Sequence, residues 1–314
     1  MSANVETMFS GNRVVPWHGI GEVVEGTLCS ADALEKAGLN WEVNPTPIFT
    51  PDGREIPNYK ANVRNTDNSV LGIVTDRYKI VQNTEAFDFT DALIGENCQY
   101  ETAGSLNGGR RIFLLAKMPT DKILGEDVEP YICFTNTHDG TGAIKVCMTP
   151  VRVVCQNTLN LALSGAKRSW SAKHIGDLKT KLKEAENTLL MANTYMENLS
   201  ITAEQLANTK VTDDEVRAML DKMYPIKEDD SDRKKRNAEE AKNQFMACMF
   251  APDILQYRNT AYGVVNAASD FATHATPQRV TDTYREKNFG KVLDGHIIID
   301  NVFLEMMKKL NKVA

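Results

Sequence analysis

GRRIFLLAKMPTDKILGEDVEPYICFTNTHDGTGAIKVCMT, residues 109–149, holds three strand candidates in one short run. Gly109–Lys117 follows a Gly-Gly turn and is apolar between its paired arginines and its lysine. Tyr131–Thr137 is rich in aromatic and β-branched residues, which suit a pleated, packed surface. Ala143–Thr149 comes directly after HDGTG (138–142), whose Asp-Gly pair is a strong hairpin signal. Three strands in succession, the last two joined by a short turn, predict an antiparallel sheet.

Upstream, Ser30–Ala37 reads as a short helix stopped by Gly38. Extended segments are expected at Tyr59–Arg64 and Leu71–Thr75, separated by the turn-prone NTDNS (65–69). Ala86, Phe87, Phe89, Ala92 and Leu93 give Thr84–Ile94 helical spacing, ending before Gly95. Downstream of Pro150 the pattern turns helical, with Val151–Leu163 as a candidate start. Leu178, Leu182, Ala185, Leu189, Ala192, Met196 and Leu199 alternate steps of four and three over three heptads. That seam fits either a coiled-coil or protomer interface or an ordinary helix lying on the sheet. Thr202/Gln205 and Thr212/Glu215 match the capping-box pattern and predict two helix starts. The mixed-charge run Lys227–Phe245 is either a solvated helix or a hinge, and helices are expected over Arg258–His274 and Asp300–Lys312. The expected fold is α+β, an antiparallel sheet with a β-β-β-α core followed by a helical C-terminal region, divided into a core domain (1–200) and a helical extension (201–314).

Charge singles out one block. Gly142–Lys183 holds eight Lys/Arg against one acid, Asp177, in a chain of net −6, which leaves −13 for the rest. A basic island in an acidic chain predicts a surface that meets an anion. Lys145, Arg152, Lys167, Arg168, Lys173 and Lys179 lie in this block, and Arg110 and Arg111 open the neighbouring strand candidate. Trp170, between Arg168 and Lys173, adds an aromatic among cations, which suits single-stranded nucleic acid. The plain alternative is a solvated basic face on an amphipathic helix.

Other chemistries find less support. His138-Asp139 invites a general-base reading, but adjacent turn residues point apart and no nucleophile elbow accompanies them. Cys155 in RVVCQNTL lacks the local signatures of cysteine proteases. GSLNGG (104–109) has neither the Walker lysine nor the dinucleotide fingerprint. Asn157 and Asn266 read as buried amides that pin helix packing. The six cysteines and five histidines are dispersed with no C-x-x-C, so reduced thiols, no metal and no cofactor are expected. No apolar run is long enough to span a bilayer and no signal peptide is evident, so a cytoplasmic setting is expected.

VPWHGIG (15–21), LGIVTDRYKIVQNTEAFDF (71–89), GGRRIFLLAKMP (108–119), NTHDGTGAIKVCMTPVRVVCQNTLNLAL (136–163) and AYGVVNAASDF (261–271) resemble a phage/plasmid-like protein family of unknown function. The resemblance covers nearly the whole chain and implies an origin on a mobile element, with no catalytic residues to carry over. The order of three strands running into a basic helix is also similar to the core of the single-strand annealing proteins of the Red-beta and RecT type. That likeness implies a positively charged groove for single-stranded DNA and assembly into rings or filaments without ATP.

The expected function is therefore binding of single-stranded DNA in support of annealing or recombination, by a homo-oligomer without enzymatic activity. Arg110, Arg111, Lys145, Arg152, Lys167, Arg168, Lys173 and Lys179 would neutralise phosphates, and Trp170 would stack a base. The alternative is a protein-binding module that engages a host factor through the same basic face.

Overall fold

The computed structural model describes residues 5–10, 22–23, 30–94, 99–152, 169–177, 180, 183–184, 192–274 and 296–313. Two antiparallel sheets and a helical C-terminal region build an α+β fold. The small sheet joins β3 (Val43–Phe49), β4 (Glu55–Arg64) and β5 (Val70–Thr75). The large sheet contains β1 (Val5–Ser10), β2 (Glu22–Val23), β6 (Gln99–Leu106), β7 (Arg111–Lys117), β8 (Asp121–Ile123), β9 (Glu126–Thr137), β10 (Ile144–Arg152) and β11 (Ser169–Ala172). Its order is β11-β10-β9-β7-β6-β1-β2, with β8 added to β9, and every pairing except β1 with β2 is antiparallel.

The three strands expected from the 109–149 run are thus β7, β9 and β10, adjacent and antiparallel, and the expected hairpin joins β9 to β10 with Cys147 opposite Cys133 and Val146 opposite Phe134. β9 is buried from Val128 to Thr137 without a break. That explains its composition: a strand covered on both faces shows no apolar–polar alternation. β10 runs on through Pro150 to Arg152 instead of turning helical after residue 149, because Pro150 and Arg152 still stand opposite Pro130 and Val128. The next described element is β11, a strand; Val151 and Arg152 of the expected Val151–Leu163 helix start belong to β10, and residues 153–168 lie outside the described residues.

Helices α1 (Ser30–Lys36) and α2 (Asn83–Ile94) precede the large sheet's core strands. Alternate residues of β7, β9 and β10 (Ile112, Leu114, Ile132, Phe134, Ile144 and Val146) pack with Leu39, Trp41, Leu71 and Phe87 in one apolar cluster. Met148 and Val128 lie further along the same face, by register, and belong to a second cluster with the C-terminal helices. One sheet face therefore carries two cores end to end.

The second cluster gathers α3 (Ala192–Asn208), α4 (Asp213–Met223), α5 (Asp232–Cys248), α6 (Ala261–His274) and α7 (Ile297–Val313). Thr212 and Glu215 close the expected capping box of α4. Thr202 starts nothing: α3 runs through it, because Tyr195, Leu199, Ala203 and Leu206 continue one buried stripe and packing outweighs the local cap. Met196 and Leu199, the described end of the heptad seam, are buried in this same cluster. The 200/201 boundary falls inside α3. The mixed-charge run resolves into a turn and then α5, capped by Ser231 and anchored by buried Phe245 and Met246. No helix among the described residues is long and apolar enough to cross a membrane.

The two sheets meet at a close approach. A Cβ on Gly72 of β5 would lie 2.5 Å from the Asp139 Cα. Since backbone cannot swing aside as a flexible side chain can, Gly72→Ala is expected to cost about 3 kcal/mol in urea unfolding. Gly53→Ala, whose methyl meets nothing within 4 Å, should cost only the backbone strain of its φ of +82°, about 1 kcal/mol.

Candidate functional site

Where β9 ends, a buried polar network joins the small sheet to the large one. The Asn62 amide donates to the His138 carbonyl at 2.7 Å, and the Tyr78 hydroxyl donates to the carbonyl of Thr137. Asn136 Nδ2 donates to the Val81 carbonyl at 2.9 Å, and the His138 N–H donates to the Arg110 carbonyl at 2.7 Å. Gln82 bridges to β3 through both the N–H and the carbonyl of Val43. Each bond closes a peptide group that would otherwise be buried unpaired.

His138 is fully buried. Its Nε2 lies 3.1 Å from Asn83 Oδ1, while Asn83 Nδ2 donates to the carbonyls of Leu39 and Trp41. With the amide nitrogen so committed, Asn83 offers an acceptor, so His138 carries its proton on Nε2. Its Nδ1 has no hydrogen-bond partner among the described residues. Burial drives the imidazole down to about 3 from an ordinary value near 6.5, and neighbouring His174 adds to the shift. His174 is also lowered, chiefly by burial; it stacks on Tyr78 with ring centres 4.5 Å apart and exchanges hydrogen bonds with the Lys79 backbone. Asp139, the other half of the general-base reading, instead accepts from the Thr141 N–H and hydroxyl at 2.9 and 2.7 Å, as a hairpin turn requires. The pair is structural: His138 faces inward and Asp139 holds the turn.

The expected anion-binding residues divide in space. Arg111, at the start of β7, stands opposite Thr137, at the end of β9. Lys145, second in β10, stands opposite Thr135 and, on the other side, Ser171 of β11. Arg110 precedes β7 and Lys173 follows β11. Four of the expected cations thus gather at one end of four adjacent strands, with Arg110 and Lys173 exposed and Arg111 and Lys145 half-buried. Lys79 joins them through its backbone pairing with His174, which the sequence reading missed because nothing local links residues 79 and 174.

Arg152 is separated from this group. It ends β10 opposite Val128, seven residues from Lys145, or about 24 Å along an extended strand. Trp170 pairs with Val146 and packs against the apolar cluster below that face, whereas Lys145 and Arg111 belong to the opposite face. Strand alternation therefore turns the indole inward, so the structure does not bring it to the Arg111–Lys145 side as a base-stacking platform. Lys167, Arg168 and Lys179 lie outside the described residues, as do Cys155 and Asn157. Asn266 is buried as expected, its amide donating to the Tyr262 carbonyl at 2.9 Å. Cys133 and Cys147 stand side by side among the cations; burial and the Cys147 neighbour push the Cys133 thiol well up, against the pull of Lys145 and Arg111. No group of three His, Cys, Asp or Glu suited to a metal occurs among the described residues.

A family profile described as "Domain of unknown function (DUF932)" matches residues 70–291, which includes β5 through β11 and most of the helical region. No curated protein and no solved structure matches the chain.

The buried neutral imidazole has a consequence for stability. Its folded value lies below its unfolded one, so its contribution is complete above pH 6.5 and is lost as the pH falls toward 3. Urea unfolding of the native protein should lose free energy between pH 6.5 and 5, before most carboxylates titrate. His138→Gln should flatten that slope while leaving the smaller share of His174, and an unchanged slope would overturn the burial account.

Proposed function

The chain belongs to the DUF932 family, and we propose that it binds single-stranded DNA at the basic end of its large sheet, supporting strand annealing or recombination without ATP. The observation that carries this reading is the gathering of Arg110, Arg111, Lys145 and Lys173 across the ends of β7, β9, β10 and β11. Four strands span about 15 Å, enough for a few nucleotides but well short of a duplex turn of about 34 Å. The net charge of −6, with −13 outside the basic block, disfavours a polyanion over most of the chain and so supports a localised site. Arg110 and Arg111 make no ion pair among the described residues, so their charge is not spent internally. The resemblance of the 136–163 run to a phage/plasmid-like family supports a role on a mobile element.

Assembly into a ring or filament belongs to the same proposal. Tyr59, Val70 and Ile73 are exposed on one face of the small sheet and support self-association there. Ile73→Glu is expected to shift sedimentation toward the monomer, and unchanged sedimentation removes this face from the assembly.

The binding test is fluorescence anisotropy of a labelled single-stranded oligonucleotide across a salt series. Affinity should fall with salt, and charge reversal at Arg110, Arg111, Lys145 or Lys173 should reduce the salt slope by about 1 each. Lys308→Glu, on α7 in the helical layer, should change nothing. No anisotropy change at low salt and high protein concentration would falsify the proposal.

A further inference from the structure

Arg111 and Lys145 differ from Arg110 and Lys173. They are half-buried, they project from the same sheet face, and they flank β9 from its two sides. Between them on that face run Thr137 and Thr135, the residues directly opposite Arg111 and Lys145 respectively. Adjacent-strand spacing and rise put the two cationic Cα atoms about 12 Å apart, so two long side chains can close on one small group between them. Thr137 is 2% exposed, and its hydroxyl has no hydrogen-bond partner among the described residues. A buried hydroxyl left unpaired costs about 1–3 kcal/mol unless something fills the vacancy. Arg111 is not paired with any carboxylate among the described residues. Both cations act on the same thiol, Cys133, which sets their charges over one patch.

We infer that Arg111, Lys145 and the Thr137 hydroxyl form a seat for one phosphate monoester, so that the protein prefers a DNA strand ending in a phosphate. A backbone diester carries one negative charge, whereas a monoester carries close to two at neutral pH. Two cations and a hydroxyl donor match the dianion. Partial burial weakens screening there and favours the doubly charged group over a passing diester. The preference for a strand rests on the DNA-binding reading above; the seat itself does not.

The experiment compares one labelled oligonucleotide with a 5′-phosphate, a 3′-phosphate or hydroxyl ends, in anisotropy titrations at fixed salt. A terminal phosphate should tighten binding about tenfold. Arg111→Gln should abolish the difference, and Thr137→Val should reduce it to about threefold. Thr137→Val removes an unpaired hydroxyl and keeps the shape, so its unfolding midpoint should be unchanged or raised, which separates a lost seat from a lost fold. In parallel, inorganic phosphate and a nucleoside 5′-monophosphate are tested for thermal stabilisation of the full chain. If all three oligonucleotides bind alike, the inference fails while the DNA-binding reading stands. If none binds, that reading fails and the thermal shift decides the seat. Stabilisation by phosphate that Arg111→Gln abolishes upholds it, and no stabilisation overturns it.

Discussion

The peptide groups of Thr137 and His138 end the central strand inside the protein, and the molecule at that end is arranged around closing their hydrogen bonds. Asn62 and Tyr78, from the small sheet and the loop after it, donate to the two carbonyls, and Arg110 accepts from the His138 N–H. A buried peptide group left open costs as much as several good apolar contacts, so the small sheet must dock where these donors reach. That requirement sets the close approach of Gly72 to Asp139 and the turn glycine Gly140, at φ +77°, against Val74. It also sets the neutrality of His138, since a charged imidazole would have nothing to donate to at Nδ1.

The same constraint places the basic end. Because the Arg110 carbonyl is committed to His138, the start of β7 is held beside the end of β9, and β10 returns from the HDGTG turn at the same level. The cations of three separate sequence segments therefore emerge together. His174, stacked on Tyr78 and bonded to the Lys79 backbone, ties the exit of β11 to the same corner and brings Lys173 with it. The opposite end of the sheet is organised differently: Met148 and Val128 hand the face over to the helical layer, where apolar packing rather than polar closure does the joining.

Much of this was legible in local sequence because strands, turns and caps are local devices. The β9–β10 hairpin follows from Asp-Gly between two β-rich runs, and the α4 cap from Thr212 and Glu215. The Thr202 cap pattern was misleading because a cap is worth about 1 kcal/mol and a continuous buried stripe outweighs it. Arg152 and Trp170 were grouped with the other cations by composition, which records neither distance along a strand nor which face a residue takes. The amides Asn62, Asn83 and Asn136 gave no signal at all, since each bonds to a partner 44 to 76 residues away.

The sequence by itself determined the α+β class, the strand pairing around 109–149, most helix positions and the existence of a basic island, because each depends on neighbours within a few residues. Only the tertiary structure decided which cations of the island stand together, that Trp170 turns inward while Arg111 and Lys145 share the other face, and that His138 is an interior anchor rather than a base. Those outcomes depend on how strands far apart in the chain align, and alignment is selected by burial and by the need to close buried hydrogen bonds, neither of which acts until the chain has folded.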